Sequence, residues 1–371
     1  MKKIPLVNLQ IQHEKLKSEI DYAINDVIKN SQFIRGPYVD KFEKEFAGLT
    51  KMKYCLSCAN GTDALYIAIK ALGAKQDDEI IVPAHSWIST SEIVTQSAAK
   101  VIFCDTNKDD FTIDVSKIEK LITKKTVGII PVHLFGQPAD MDPILELAKK
   151  YNLWIVEDCA QAHLAKYKNK LVGSFGNFGS FSFYPGKNLG AMGDAGALVT
   201  NNLDLFEKSA KFARHGGLIK GKHEFEGINS RMDGIQAAIL SVKAKFLIDW
   251  NLKRRQNASI YNKELSTLDE FIEIPFQRVD TEHVWHLYVI KTEFRDELAS
   301  WLKEKGIQTA INYPVSLPFL EAYKRFKFTP NDFPNAFQNQ NKILSLPMYP
   351  ELTNSDIQFV IESIKSFPKF N

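Results

Sequence analysis

The stretch "LWIVEDCAQAH", residues 153–163, contains one of six short apolar runs that decide the fold of this 371-residue chain. The other five are "EIIVP" (79–83), "KVIFCD" (100–105), "VGIIPVH" (127–133), "FGSFSFY" (178–184) and "GALVT" (196–200). Helical patterns lie between several of them. In "TDALYIAIKALG", for example, Thr62 is the expected N-cap and Gly73 the stop. This alternation predicts an α/β fold with a mostly parallel sheet covered by helices.

The two ends of the chain show other patterns. The first 30 residues are mainly helical, and a long helix is predicted over residues 231–263 with a break near Trp250. The strand "HVWHLYVI" and the helix "RDELASWLKEKGI" follow it. Because chains above about 250–300 residues usually divide into domains, we expect three parts. They are an N-terminal helical segment (1–30), a large α/β domain (31–248) and a smaller C-terminal α+β domain (249–371).

Composition and charge argue against several classes of protein. The net charge is only +3 and no long basic block is present, so nucleic acid is not an expected partner. The N-terminus lacks the pattern of a signal peptide, and no apolar run approaches the roughly 20 residues that span a bilayer. We therefore expect a cytoplasmic protein with no membrane contact.

The four cysteines are too few for a disulfide scaffold in a chain of this length. Cys55 and Cys58 form a CxxC pair, which could be redox-active or half of a metal site. No second CxxC and no spaced histidine pair completes such a site. Buried thiols and no bound metal are therefore the expected outcome.

Four local signals fall at strand ends or helix starts, where open α/β sheets place their ligand sites. The first is "ANGTDAL" (59–65), in which a Gly-Thr pair at a helix start offers N–H groups and a hydroxyl to an anion, although the same pair is also an ordinary cap. The second is the pair Glu157 and Asp158 at the end of a buried run. One of these two carboxylates must face inward, where it needs a cation or strong donors. It is either a helix cap or the counter-charge of a bound cation.

The third and fourth signals are an aromatic ring and an amine. Trp87 in "PAHSWIST" (83–90) is either a core residue or a ring that stacks on an aromatic cofactor. In "SFSFYPGKNLG" (180–190), Lys187 lies in a Pro-Gly turn five residues after Ser182, and desolvation there would make its amine nucleophilic. "PGKN" lacks the flanking residues of a nucleotide triphosphate loop. An anion site, a carboxylate, a ring and an amine are together what pyridoxal 5'-phosphate requires.

The sequence resembles the DegT/StrS-type (DegT/DnrJ/EryC/StrS) sugar aminotransferases, which have an aspartate-aminotransferase-like fold (fold type I). The resemblance covers nearly the whole chain, with these motifs in order: "RGPYVDKFEKEFA", "NGTDAL", "DDEIIVPAHSW", "IIPVHLFGQPADMD", "VEDCAQAH", "SFSFYPGKNLGAMGDAGALVTNN", "GINSRMDGIQAAIL" and "LSLPMYPELT". It implies a pyridoxal-phosphate-dependent transaminase that moves an amino group, with glutamate the expected donor, onto a nucleotide-linked keto sugar. It also implies amino-sugar biosynthesis for a surface polysaccharide such as lipopolysaccharide, and a homodimer with shared active sites.

The resemblance further implies roles at matching positions. Lys187 would be the Schiff-base lysine and would then move a proton between the substrate carbon and the cofactor C4' carbon. Asp158 would hold the pyridinium nitrogen, Gln161 would contact the phenolic oxygen or the ring, and Trp87 would stack on the ring. The other cofactor contacts are expected near the phosphate: Gly61, Thr62, Asp63, Ser182 and, from the neighbouring subunit, Asn229.

Two details modify these expectations. Some relatives have histidine in place of the lysine and dehydrate their substrate, so Lys187 favours amino transfer. Asn312, Tyr313 and Pro314 stand where many relatives have His-Tyr-Pro, which leaves the role of that imidazole open. The expected substrate contacts are Arg35, His163, Tyr184, Lys220 and Tyr313. The loop from Lys211 to Lys222 is the candidate for binding an anionic substrate tail, although it could equally be a solvated loop.

Alternative interpretations remain at this stage. The substrate could be a keto compound without a nucleotide, such as a keto sugar acid or a cyclitol, or the protein could bind pyridoxal phosphate for a regulatory purpose without catalysis. His163 either packs near the cofactor or forms a structural hydrogen bond. The histidines in strand-like apolar runs, which are His133, His283 and His286, are expected at satisfied core positions.

Overall fold

The computed structural model describes residues 2–370 of the chain. Its α-helices are α1 (Leu9–Lys15), α2 (Lys17–Asn30), α3 (Pro37–Thr50), α4 (Gly61–Ala71), α5 (Ser89–Gln96), α6 (Val115–Leu121), α7 (Met141–Tyr151), α8 (Leu203–Phe212), α9 (Gly234–Ala244), α10 (Leu247–Leu265), α11 (Arg295–Glu304), α12 (Pro334–Lys342) and α13 (Asn354–Lys365). Short 3₁₀ segments cover Leu134–Gly136, Ser266–Leu268, Leu317–Phe319, Glu321–Phe326 and Pro368–Phe370.

The strands are β1 (Tyr54–Cys58), β2 (Glu79–Pro83), β3 (Lys100–Cys104), β4 (Thr126–Ile129), β5 (Trp154–Asp158), β6 (Lys166–Tyr167), β7 (Lys170–Leu171), β8 (Phe178–Ser182), β9 (Gly196–Thr200), β10 (Thr281–Glu282), β11 (Tyr288–Lys291) and β12 (Ile343–Leu346). A seven-stranded sheet has the order β1-β9-β8-β5-β4-β2-β3. Within it, β9 runs antiparallel to both neighbours and the other six strands share one direction. The predicted mostly parallel sheet is therefore confirmed.

Both faces of this sheet are covered, which explains why its strands are continuous apolar runs in the sequence. In β2, Ile80 and Val82 belong to one hydrophobic cluster and Ile81 to another. Because successive side chains of a strand point to opposite faces, the two clusters lie on opposite sides of the sheet. All three residues are fully buried.

Several predicted boundaries differ from the structure. The strand predicted over "HVWHLYVI" (283–290) is observed only at Tyr288–Lys291. Helix α4 starts at Gly61, and its N-cap is Asn60, whose side chain accepts the N–H of Asp63, so Thr62 is not the cap. The predicted long helix divides at residues 245–246 instead of Trp250, because the apolar spacing continues across the break and does not mark it. Strand β4 ends at Ile129, shortly before Pro131, which has no N–H to donate to a sheet.

The N-terminal helices have no sheet of their own. Helix α2 packs against α9, and Ile4 forms a parallel bridge with Ile307 and enters the hydrophobic cluster around β11 and β12. Helices α10, α11 and α13 contribute to the same cluster. The division of the chain at residues 30 and 248 stays a prediction. Within residues 2–370, no helix is both long and apolar enough to cross a membrane.

Both carboxylates at the end of β5 are buried, although the sequence required only one to face inward. The Glu157 oxygens accept a hydrogen bond from His133 Nε2 at 3.1 Å and from three backbone N–H groups at 2.6 to 2.8 Å: Gly173, Phe175 and Gly176. His133 Nδ1 accepts a hydrogen bond from the N–H of Ala139, so the ring proton lies on Nε2. The Nε2–H group donates a hydrogen bond to Glu157. Glu157 therefore anchors the loop before β8, and His133 is a satisfied core residue as predicted.

We predict that Glu157→Gln destabilises the fold by about 2–4 kcal/mol. Both oxygens of Glu157 act as acceptors, so either orientation of the glutamine amide places an NH₂ group against backbone donors. Urea unfolding measures the change. The matched control is Glu146→Gln on α7, an exposed position, and equal stabilities of the two variants would contradict the anchoring role.

Candidate active site

Five of the strands bring candidate site residues to one edge of the seven-stranded sheet. Strands β1, β2, β5 and β8 place their carboxyl ends there, and the antiparallel strand β9 begins there. The register aligns Cys58, Gly196 and Ser182 side by side. The segments that leave these ends carry most of the predicted cofactor contacts: Gly61, Thr62, Trp87, Asp158, Gln161, Ser182 and Lys187.

Lys187 lies in a tight turn after β8. Its backbone N–H donates a hydrogen bond to the carbonyl oxygen of Tyr184 at 2.8 Å. The N–H of Ala191 donates to the carbonyl oxygen of Phe183 at 2.7 Å and so joins the two ends of the turn. Gly190 is required because a Cβ atom there would lie 2.2 Å from the carbonyl oxygen of Pro185. Burial lowers the pKa of Lys187 to about 8, against the opposite influence of Asp158. The lowered pKa increases the neutral fraction of this amine near neutral pH, and the neutral form can act as a nucleophile.

Asp158 is buried on the opposite face of β5 from Glu157. One oxygen accepts from the Thr90 hydroxyl at 2.9 Å and the other from the Ala160 N–H at 3.1 Å. Burial raises the pKa of Asp158, whereas these two donors and the charge of Lys187 favour its ionised form. Within residues 2–370 this carboxylate forms no ion pair, and a protonated ring nitrogen is a suitable cationic partner for it.

The start of α4 packs closely against Ser182 and the start of β9. A Cβ atom on Gly61 would lie 2.6 Å from the Cβ of Ser182, and one on Gly196 would lie 2.3 Å from the Asn60 carbonyl oxygen. Thr62 Oγ1 is hydrogen-bonded to Ser89 Oγ at 2.6 Å. Free N–H groups of the first helical turn and nearby hydroxyls are the donors that a phosphate needs, so this region fits the phosphate of the cofactor.

The carboxylate of Asp63 is bonded within the chain, and the predicted cofactor contact of this residue stays a prediction. Its carboxylate accepts a hydrogen bond from Ser230 Oγ at 2.6 Å, and Ser230 Oγ accepts the N–H of Ala59. A direct contact between this carboxylate and an anionic phosphate would be repulsive. Asp63 instead ties α4 to the segment that contains Asn229, whose side chain is exposed.

Aromatic and amide groups line the next part of the site. Trp87 is 57% exposed, so its ring is available for stacking, and its centroid lies 5.4 Å from that of Tyr313. Gln161 donates from Nε2 to the Tyr313 hydroxyl at 2.8 Å and accepts the Phe135 N–H at 2.6 Å. Gln161 thus holds Tyr313 near Asp158. Burial and the negative charge of Asp158 raise the pKa of Tyr313.

The other predicted substrate contacts fall into two groups. Arg35, Tyr184 and Lys220 are exposed, and within residues 2–370 neither Arg35 nor Lys220 forms an ion pair. His163 is fully buried between Phe181 and Phe183, which does not favour direct contact with a substrate. Its ring forms no hydrogen bond within the described chain, so the predicted structural hydrogen bond is also missing. Burial lowers the pKa of His163 to about 3, although the nearby Ser182 backbone opposes the shift.

His283, His286 and the four thiols are core groups. His283 stacks on Trp285 at 3.9 Å, and His286 is hydrogen-bonded to Asn188. The four cysteines are free and buried, and burial raises the pKa of both CxxC thiols. In the described part of the chain, one group has metal-ligand spacing, formed by His133, Glu157 and Cys159. The hydrogen bonds to Glu157 and His133 described above already occupy the ligand atoms of both.

The sequence interpretation missed four polar residues that support the site: His85, Ser89, Thr90 and Ser230. Thr90 follows Trp87 by three residues and contacts Asp158, and Ser230 contacts Asp63 across 167 positions of sequence. The motifs "PAHSWIST" and "GINSR" contain all four residues. Their partners are distant in sequence, so only the motif membership could have indicated them.

Comparison with known proteins identifies the family. Residues 14–365 match the DegT/DnrJ/EryC1/StrS aminotransferase family. A "Pleiotropic regulatory protein" of Geobacillus stearothermophilus is 40% identical over 365 residues, covering 98% of each chain. The dTDP-3-amino-3,4,6-trideoxy-alpha-D-glucose transaminase of Streptomyces venezuelae is 38% identical over 365 residues, covering 98% of this chain and 96% of the relative.

A solved structure provides the corresponding comparison of folds and bears on the cofactor. The crystal structure of NtdA from Bacillus subtilis with bound cofactor PMP has a TM-score of 0.90 at 32% identity, covering 98% of this chain and 85% of that chain. The predicted fold, enzyme class and cofactor are confirmed. This chain belongs to the DegT/DnrJ/EryC1/StrS aminotransferase family and is a pyridoxal-phosphate-dependent aminotransferase of fold type I.

Proposed function

We propose that this aminotransferase transfers an amino group from glutamate to a keto sugar linked to a nucleotide, in the biosynthesis of an amino sugar. The observation that carries the proposal is the position of Lys187 and the buried Asp158 at the same sheet edge, where desolvation lowers the pKa of Lys187. When bound, pyridoxal phosphate supplies an electron sink that stabilises negative charge at the substrate carbon. The protein must supply the proton transfers and the orientation.

In this proposal Lys187 has two tasks. Its amine would link covalently to the cofactor and, once the amino donor has released it, would move the proton at the reacting carbon. Asp158, which accepts hydrogen bonds from Thr90 and Ala160, would hold the protonated ring nitrogen. The start of α4 with Ser182 would hold the phosphate, and Trp87 would cover one face of the ring.

The nucleotide-sugar substrate is supported by the transaminase of Streptomyces venezuelae, whose name specifies a dTDP-linked amino sugar. The exposed loop that contains Lys220 and Lys222 offers cations to a diphosphate. A surface polysaccharide as the destination of the product, and a cytoplasmic location, belong to the same proposal. A panel of keto substrates with glutamate as donor would separate nucleotide-linked sugars from keto sugar acids and cyclitols.

We also propose a homodimer in which Asn229 reaches the phosphate of the neighbouring subunit. Large apolar side chains are exposed near the N-terminus, among them Tyr22 (75%), Ile28 (50%) and Ile34 (51%). Exposed apolar side chains clustered in one region favour an interface. Asn229 is exposed, whereas its neighbour Ser230 is buried against α4, so the amide is available to a second chain.

Replacing Lys187 by alanine should reduce turnover by more than about 10³-fold, because both the covalent link and the proton carrier are lost. Borohydride treatment followed by peptide mass spectrometry should find the cofactor attached to Lys187 in the natural protein and to no residue in the variant. Lys124→Ala is the matched control, since Lys124 is exposed and outside the site. A cofactor adduct on another lysine of the natural protein would refute the assignment.

Glutamate treatment of the same protein preparation distinguishes an aminotransferase from a regulatory protein that only binds the cofactor. Glutamate alone should convert the bound cofactor of the natural protein to its pyridoxamine form, which changes the visible absorbance. Lys187→Ala should not complete this conversion at a comparable rate. A natural protein that binds the cofactor but shows no glutamate-dependent change would support the non-catalytic alternative.

Gly61→Ala should weaken cofactor binding by about tenfold or more. The added Cβ would lie 2.6 Å from the Cβ of Ser182, which forces apart the two walls of the proposed phosphate site. Titration of the apoprotein with pyridoxal phosphate measures the change. Gly48→Ala is the control, because a Cβ there meets no atom within 4 Å, and equal affinities of the two variants would argue against this phosphate site.

The shared active site can be tested by mixing two inactive variants. Lys187→Ala lacks the amine, and Asn229→Glu places a carboxylate against the phosphate of the neighbouring subunit. In a mixed dimer, one site combines the intact Lys187 of one chain with the intact Asn229 of the other. Mixing after subunit exchange should therefore restore about a quarter of the natural activity, because half of randomly formed dimers have one functional site. No recovery, with mixed dimers confirmed by mass spectrometry, would place both residues in the site of one chain.

A further inference from the structure

His85 connects the loop after β2 to the segment that contains Tyr313. Its ring is buried, with Nδ1 2.9 Å from Ser316 Oγ and Nε2 3.1 Å from the backbone nitrogen of Tyr313. His85 is more than 200 positions away in sequence from both Tyr313 and Ser316. No role in the proposed chemistry has been given to this imidazole.

The hydrogen bonds fix the tautomer of His85. Nε2 accepts the N–H of Tyr313, so the ring proton lies on Nδ1 and is donated to Ser316 Oγ, which in turn donates to the carbonyl oxygen of Ala336 at 2.8 Å. Burial lowers the pKa of His85 to about 4, against the influence of the Asn312 backbone. The ring is therefore neutral at physiological pH, and Nε2 remains an acceptor.

Tyr313, which His85 holds by its backbone, belongs to the site. Its hydroxyl accepts from Gln161, and its ring lies beside Trp87. Since that hydroxyl accepts from Gln161, its own proton remains free for donation. The chain of contacts from His85 through Tyr313 to Gln161 ends at Phe135, in the segment after β4. A shift of the Tyr313 backbone would thus move a donor, a ring and Gln161 together.

We propose that His85 is a positioning residue for amino transfer, which acts by fixing Tyr313 against Gln161 and Trp87. The neutral Nδ1–H tautomer, imposed by Ser316, presents an acceptor to the Tyr313 N–H and so sets the place of the Tyr313 side chain. This inference rests on the proposed function, in which Gln161 and Trp87 contact the cofactor. In this protein the imidazole next to Tyr313 comes from His85, in the loop after β2. Position 312, where many relatives have histidine, holds an asparagine that is hydrogen-bonded to Ser345.

The test is the rate at which glutamate converts the bound cofactor, measured in a single turnover by absorbance. His85→Phe keeps a ring but removes both hydrogen bonds, and it should slow this step about 10- to 100-fold, as expected for a misplaced active-site group. His85→Gln can accept from the Tyr313 N–H and donate to Ser316, so it should recover most of the rate. Equal impairment of both variants would overturn the proposal.

A double-mutant cycle shows whether His85 acts through Tyr313. Tyr313→Ala alone should slow the step, and adding His85→Phe to it should change the rate less than about twofold, because the positioned side chain is already absent. If the rate loss of the double variant equals the product of the rate losses of the two single variants, the proposal is overturned. If His85→Phe does not fold, Ser316→Ala replaces it in the cycle, since loss of the acceptor for Nδ1–H removes the preference for that tautomer. If the natural protein itself does not respond to glutamate, the proposed function is contradicted. If the natural protein responds and only the pattern among the variants differs from the expected one, the role of His85 alone is contradicted.

Discussion

The burial of two neighbouring carboxylates at the end of β5 is the constraint on which the site depends. Glu157 and Asp158 point to opposite faces of the strand, and both lie out of water. An unpaired buried carboxylate costs several kcal/mol, so each one requires donors. Glu157 receives three backbone N–H groups and His133, which makes it part of the fold. Asp158 receives only a hydroxyl and one N–H, which leaves it available to a cationic ligand.

The second constraint is the edge of the sheet at which these residues meet. Parallel strands with a shared direction deliver their carboxyl ends to one side, and here that side also contains the start of the antiparallel strand β9. Glycine at positions 61 and 196 allows the first turn of α4 to lie against Ser182 and β9. The turn of Lys187 leaves β8 at the same place. The proposed anion site, the amine and the carboxylate are therefore near one another because of strand direction.

The elements that the sequence predicted best are the buried strands. "EIIVP" and "GALVT" match β2 and β9 residue for residue, because continuous apolar runs bounded by turns have few other interpretations. Helix ends were less certain, since Asn60 and Thr62 are both good caps and only the backbone decides between them. Asp63 and His163 show what sequence motifs do not reveal about the site, namely the surroundings of each side chain. Both lie in the expected motifs, yet hydrogen bonding to Ser230 in one case and complete burial in the other give them different surroundings.

The sequence by itself determined the α/β class, the family and the cofactor, and it indicated Lys187 as the candidate reactive lysine, because these depend on local patterns and on motifs of adjacent residues. Tertiary structure decided which of the two carboxylates faces the site, since strand register and the position of the loop at 173–176 are not local properties. It also decided the environment of His85, whose partners Tyr313 and Ser316 lie more than 200 residues away. Contacts between distant segments form only when the sheet and its covering elements pack, so no short stretch of sequence contains them.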